Sequence, residues 1–162
     1  MHANPAPPRV ERDAVVDAVL TASRVLVAIA ARSLADAAEE VTLPQYRSLV
    51  VLASRGPQSV AELAEGVGVA PPTATRMCDR LVRKGLVRRR ADRRDRRAVR
   101  IALTAEGRRL VDSVTRRRRR EIARLLGSIP IEAQRSLVES LQLLAEAGGE
   151  VPEQSWSLGW EL

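Results

Sequence analysis

Between Thr42 and Gly107 the chain is cut into short pieces by helix caps and stops, and this punctuation restricts the fold more than any other feature. Thr42-Leu43-Pro44-Gln45 starts a helix. The threonine hydroxyl can accept the backbone N–H three residues on, Gln45 can reach back, and proline is tolerated in a first turn. The helix predicted over 44–54 buries Tyr46, Leu49, Val50 and Ala53, and Arg55-Gly56-Pro57 stops it. Ser59-Val60-Ala61-Glu62 repeats the capping box and opens a short helix to about Glu65, which Gly66 and Gly68 end. Pro71 begins a third helix over 71–84, closed by Gly85 as a left-handed C-terminal residue. Ala74, Met77, Cys78, Leu81 and Val82 fall on one side of it, and Thr73, Arg76, Arg80 and Arg83 on the other. Segments 86–90 and 97–103 read as two strands, because Val99, Ile101 and Leu103 alternate with Arg100 and Ala102. The polar stretch 91–96 is their hairpin loop, and Thr104 caps the next helix with Glu106 in its first turn.

The flanks are helical. Residues 1–8 are Pro-rich and predicted to be disordered. Residues 9–40 contain neither Gly nor Pro, and Val15, Val19, Ala22, Leu26, Ile29 and Ala30 recur near helical spacing, which predicts one long helix. A helix of that length exceeds the usual globular one and calls for a partner chain to bury its second face. Helices are also expected over 104–126 and 130–147, the latter with Ile131, Leu137, Leu141 and Leu144 apolar and ended by Gly148-Gly149. A tail with Trp156 and Trp160 follows. It reads as packing on the protein, with a docking peptide as the alternative. The expected fold class is mainly α with a small β-hairpin: a winged helix-turn-helix with long terminal helices. Its divisions are a tail at 1–8, a long helix at 9–40, a winged helix-turn-helix at 41–103, helices at 104–147 and a C-terminal tail at 148–162.

Composition narrows the function. His2, in the tail, is the only histidine and Cys78 the only cysteine, so histidine catalysis, a disulfide framework and Cys/His metal sites are set aside. No Gly-rich phosphate loop appears and no carboxylate pair sits in an apolar setting, so no enzyme and no cofactor is expected. Aromatics are 2%, too few for platforms that stack single-stranded bases. No apolar run is seen to approach the ~18 residues of a membrane span, and the N-terminus lacks a signal-type apolar stretch, so a cytoplasmic protein is expected. The net charge of +7 is unevenly spread. Residues 71–127 hold 20 basic and 6 acidic groups, whereas residues 128–162 hold 1 and 6. A focused basic region is the electrostatic footprint of a nucleic-acid binder, although charge runs are also often plain solvated surface. Arginines crowded at a hairpin tip suit the narrow, negative minor groove over A·T runs.

The hairpin sequence Asp92-Arg93-Arg94-Asp95-Arg96-Arg97, followed by 99–107 (VRIALTAEG), resembles the wing signature of the MarR (multiple antibiotic resistance regulator) family. The segment 43–49 (LPQYRSL) is similar to the start of that family's second helix, and 59–87 to its helix-turn-helix. The resemblance covers roughly residues 10–147. It implies a homodimeric repressor whose terminal helices, the dimerisation helix 9–40 and the dimerisation helices 104–147, form the dimer interface, and whose two winged DNA-binding domains (41–103) read half-sites of a pseudo-palindrome about one DNA turn apart. Residue by residue, it implies Pro71, Thr73, Thr75, Arg76 and Arg80 as major-groove contacts, and Arg94, Asp95, Arg96 and Arg97 at the wing for the minor groove. The chain departs from the family at Ala70, where a capping Ser is common. It also has no aromatic other than Tyr46 within residues 9–149 to line a ligand cleft.

Two features stand apart. Cys78 lies on the apolar side of its helix and reads as packing rather than as a redox sensor. Arg116–Arg120 are five consecutive helical arginines that cover the whole helix circumference, so at least one must face protein or a partner chain. Ion pairing with acidic segments is the default reading. The sharper one is an anionic effector bound by Tyr46, Arg116, Arg117 and Arg120. The predicted partners are double-stranded DNA, a second copy of the chain and this small anionic effector. A winged-helix protein–protein module and a nonspecific DNA-binding protein are the rival readings.

Overall fold

Both capping boxes expected from the sequence form, and they set where the helices begin. The computed structural model describes residues 9–35, 41–92, 98–153 and 155–156. The element order is α1 (Arg9–Leu34), α2 (Leu43–Arg55), α3 (Val60–Val67), α4 (Pro71–Arg83), β1 (Val87–Ala91), β2 (Val99–Leu103), α5 (Ala105–Leu126) and α6 (Ile131–Ala147). The Thr42 and Gln45 side chains bond reciprocally to each other's backbone N–H groups at the start of α2, and Ser59 and Glu62 do so at α3. Thr104 accepts the Gly107 N–H at 3.1 Å and starts α5.

The core sits where five elements meet. Leu49 of α2, Leu63 of α3, Leu81 of α4, Ile101 of β2 and Val111 of α5 are all fully buried there. Ser48 ties α2 to α4 through its hydroxyl, 3.4 Å from the Met77 sulfur. The strands form an antiparallel hairpin with Val87 opposite Leu103 and Ala91 opposite Val99.

Several details depart from the sequence reading. Gly66 does not end α3 but lies within it, and the stop is Gly68 alone, whose φ of +75° is the left-handed conformation that glycine tolerates best. Of the strand expected over 97–103, β2 is described as Val99–Leu103, and Arg97 lies outside the described residues. The alternation expected along β2 fails at its root: Ile101, Ala102 and Leu103 are all buried. Both α2 and α5 contact β2, and Gln58 pairs with its edge at Ile101, so the root of the strand is enclosed by several elements. The long first helix is described to Leu34, and the expected stretch 36–40 lies outside the described residues.

The outer helices contrast with this core. Helix α1 packs only its C-terminal end inward, through Ile29, Ser33 and Leu34, with Arg32 donating to Glu121 of α5 at 2.9 Å. Val15, Val19, Leu20, Leu26 and Val27 are exposed, and α6 has no buried residue. From the sequence no apolar run of membrane-span length is expected. Folded as one helix, Glu11–Leu34 has both the length and the apolar composition of such a span. The charges that break up the run in the sequence are sparse along the helix, with only Asp17 and Arg24 between Ala14 and Ala31.

Candidate nucleic-acid interface

The site is built by a turn that only certain residues permit. Helix α3 ends where the Gly68 N–H donates to Ala64 O at 2.9 Å and Glu65 O at 3.1 Å. Val69 and Ala70 cross to α4, which Pro71 opens. Ala70 supplies the cap position with no side-chain bond, so the first turn of α4 is held by the Thr73 and Ala74 N–H groups on Ala70 O, at 2.9 and 3.1 Å. The alanine that stands where the family commonly has a serine thus leaves the helix without a side-chain cap.

Helix α4 is strongly two-faced. Ala74, Met77, Cys78 and Leu81 are buried against α2, α3 and the hairpin. Pro71, Thr73, Thr75, Arg76, Arg80 and Arg83 are exposed on the other side. Thr75 donates its hydroxyl to Pro71 O at 3.0 Å, and Arg76 Nε donates to Pro72 O at 3.3 Å, so both side chains lie along the helix surface. A groove of about 300 Å³ separates Arg76 and Arg80 from Thr42, Pro44 and Gln45 at the start of α2. Residues 71–91 hold seven basic side chains and one acid, Asp79, which is paired with Arg89 of β1 at 2.5 Å. The field over this face is therefore positive, and its arginine and threonine groups are donors of the kind that reach phosphates and base edges.

The hairpin stands beside α4. Its strands carry Arg88, Arg89, Arg90 and Arg100. The expected minor-groove residues Arg94, Asp95, Arg96 and Arg97 lie outside the described residues. The loop end of the hairpin holds a network that the sequence does not predict. Arg100 donates from Nε to Asp92 at 2.5 Å and from Nη1 to Glu62 at 2.7 Å. The Glu62 carboxyl pKa is lowered, first by the Ser59 backbone N–H, then by the Ser59 hydroxyl and by Arg100.

Of the residues expected to hold an effector, Tyr46 is buried in α2 and its ring faces Arg118, whose guanidinium lies 5.9 Å from the centroid. Burial pushes the Tyr46 hydroxyl pKa up, against the lowering effect of its hydrogen bond with Thr115 and of Arg118. Arg118 Nε is buried with no hydrogen-bond partner among the described residues. Arg116 and Arg120 are exposed on α5, and Arg117 is half-buried. The arginine that meets Tyr46 is thus Arg118, which periodicity could have singled out: Val111, Val114 and Arg118 follow one helical stripe, and the first two are buried. Arg119 pairs with Glu153 at 2.8 Å, part of the ion pairing expected for this run. Among the described residues no group of three or more His, Cys, Asp or Glu is placed to hold a metal ion.

Comparison with known proteins agrees with this arrangement. The MarR family model matches residues 41–99. The HTH-type transcriptional repressor MdtR of Bacillus subtilis (strain 168) is 32% identical over 119 residues, 74% of this chain and 77% of that protein. The crystal structure of RV1404 from Mycobacterium tuberculosis superposes with a TM-score of 0.81 at 44% identity, covering 91% of this chain and 99% of that one. A MarR family protein from Bacillus stearothermophilus gives a TM-score of 0.79 at 26% identity, covering 90% of this chain and all of that one. With the winged helix, the two-faced α4 and the similarity to MdtR all in agreement, the chain belongs to the MarR family of DNA-binding transcriptional regulators.

Proposed function

We propose that this protein is a cytoplasmic repressor that binds a pseudo-palindromic operator as a homodimer. The observation that carries the reading is the exposed Thr73, Thr75, Arg76 and Arg80 face of α4, set directly after the capped turn at Gly68. In this reading Pro71, Thr73, Thr75, Arg76 and Arg80 line the major groove, and Arg94, Asp95, Arg96 and Arg97 of the wing enter the minor groove. Residues 41–103 form the reading unit, with 9–40 and 104–147 as dimerisation segments. The exposed apolar residues of α1 and α6, Leu143 at 69% among them, support a second copy of the chain as their cover. Similarity to the repressor MdtR supports repression as the outcome of binding.

A small anionic effector releasing the protein from DNA completes the reading. It is assigned to Tyr46 with Arg116, Arg117 and Arg120 of α5, and the half-buried Arg118 over Tyr46 adds a cation beside them. A thermal-shift screen of phenolic and carboxylate anions tests this part. Stabilisation that vanishes in Arg→Ala variants is expected, and its absence across the screen removes the effector.

The binding test is fluorescence anisotropy on DNA from upstream of the protein's own gene against a shuffled duplex, across a salt series. Preference for the native duplex, lost in Arg97→Ala, is expected. Equal, steeply salt-dependent binding to both duplexes contradicts sequence-specific reading. Binding to neither favours the protein–protein module.

A further inference from the structure

We infer that Arg100 sets the angle of the hairpin against the helix-turn-helix, and so determines which groove positions the wing reaches. This rests on the DNA-reading function proposed above. The hairpin meets the start of α3 at one backbone bridge: the Gln58 N–H donates to Ile101 O at 3.0 Å, and the Ile101 N–H donates to Gln58 O at 2.7 Å. This bridge and the buried root residues Val87, Ile101 and Leu103 locate the inner end of the ribbon, and Arg89 pairs β1 with Asp79 on the α4 side. The tie on the α3 side, nearer the loop, is the Arg100 side chain, and it fixes the angle of the outer end.

Both ends of that tie are themselves held by backbone. Asp92 follows β1 directly, and its N–H donates to Ala98 O at 2.8 Å, which closes the neck of the hairpin. Glu62 accepts the Ser59 N–H at 2.7 Å and donates its own N–H to Ser59 Oγ at 3.2 Å, so its carboxylate is part of the α3 cap. Arg100 spans the two, with Nε on Asp92 and Nη1 on Glu62. The planar guanidinium presents donors in a fixed fork, so holding both carboxylates also fixes the direction between them, which the single point charge of lysine does not. The Asp92 side chain is 15% exposed and that of Arg100 32%, which reduces solvent screening relative to a fully exposed pair. Arg100 is thus a positioning residue: it contacts no base in this account and acts through the hairpin that it anchors.

The test uses the full-length protein as wild type, Arg100→Gln and Arg100→Lys, with two readouts. The first is amide hydrogen exchange. In Arg100→Gln the hairpin amides over 87–92 and 98–103 should exchange about tenfold faster, the equivalent of one lost charge-assisted hydrogen bond, while the amides of α4 keep their protection. Arg100→Lys should fall between the two. Unchanged hairpin exchange, equal acceleration in α4 or wild-type behaviour of Arg100→Lys would each overturn the inference. The second readout is the sequence selected from a randomised duplex pool. Wild type should select a motif whose flanking positions lose preference in Arg100→Gln by about tenfold, as for one mismatched pair, while the inner positions keep theirs. Uniform loss at all positions overturns the positioning role. If wild type selects no motif, the DNA-reading proposal fails and with it the claim on groove positions, whereas hydrogen exchange still decides whether Arg100 clamps the hairpin.

Discussion

Gly107, in the first turn of α5, packs directly against the carbonyl group of Leu86 at the root of the hairpin. A Cβ at this position would fall onto Leu86 O, with Leu86 C at 3.0 Å and Leu103 Cδ2 at 3.1 Å. The approach is this close because α5 and the hairpin are laced together there. The Thr104 N–H donates to Leu86 O at 3.1 Å, and the Thr104 hydroxyl donates to Gly85 O at 2.7 Å. Backbone cannot yield as a flexible side chain does, so Gly107→Ala should destabilise the protein by about 2–4 kcal/mol. Urea unfolding measures this, and a loss below about 0.5 kcal/mol, the range of an ordinary surface change, would contradict the packing.

The order of elements was legible because polar caps act locally. Thr42 with Gln45, Ser59 with Glu62, and Thr104 each bond within three residues, so sequence alone places them. The two-faced character of α4 was legible for the same reason, since helical period sorts Met77 and Leu81 from Arg76 and Arg80. What remained hidden depends on contacts between distant segments. Gln58 joins the edge of β2 across 43 positions, Ala102 is buried where a period-2 pattern predicts exposure, and Arg100 of β2 reaches Glu62 of α3. Gly66 was misread as a stop because a glycine inside a helix looks in sequence like a glycine after one. At the candidate site the α4 face could be read off the sequence, and the stripe of Val111, Val114 and Arg118 marks Arg118 as the inward-facing arginine, whereas its meeting with Tyr46 needed the packing of α5 on α2.

Cys78 is fully buried, and burial pushes its thiol pKa up. The thiolate is the reactive form, so this cysteine should be inert in the native protein. A thiol reagent at neutral pH should leave it unmodified until denaturant is added. Cys78→Ser should keep the DNA binding and the peroxide insensitivity of the wild type. Peroxide-induced release from DNA that disappears in Cys78→Ser would contradict this.

Glu62 gives a pH dependence of definite sign. Its folded carboxyl pKa lies below the ordinary value of 4.5, chiefly through the Ser59 N–H. The unfolded chain therefore takes up this proton first as pH falls. The stabilisation is fully present above 4.5 and is lost as pH drops below it through the depressed folded value. Glu62→Gln keeps a capping side chain but removes the titration. Its thermal midpoint should fall less than that of the wild type on acidification below pH 4.5. Parallel acid limbs for the two proteins would contradict the assignment.

The segment after α6 returns to the body of the protein. Arg55 donates to Gly149 O at 2.9 Å, Arg47 pairs with Glu150, Arg119 pairs with Glu153, and Trp156 packs on the core while its Nε1 donates to Val151 O at 3.0 Å. The ion pairs are exposed and contribute little, so the indole dominates. Deleting residues 151–162 should cost about 1–3 kcal/mol, the scale of burying one large apolar side chain, and lower the thermal midpoint by several degrees. An unchanged midpoint would mean that Trp156 adds nothing to the fold.

The central claim is that the exposed face of α4 reads DNA from a symmetric pair of sites. Hydroxyl-radical footprinting on the duplex that the wild-type protein selects tests it most directly. The account predicts two protected half-sites related by a two-fold axis, with centres about one helical turn apart. It also predicts that Arg76→Ala and Arg80→Ala each weaken binding by about 10- to 100-fold without altering the fold, because both side chains are exposed. A single asymmetric protected segment, or full protection retained by both variants at wild-type concentrations, would contradict it.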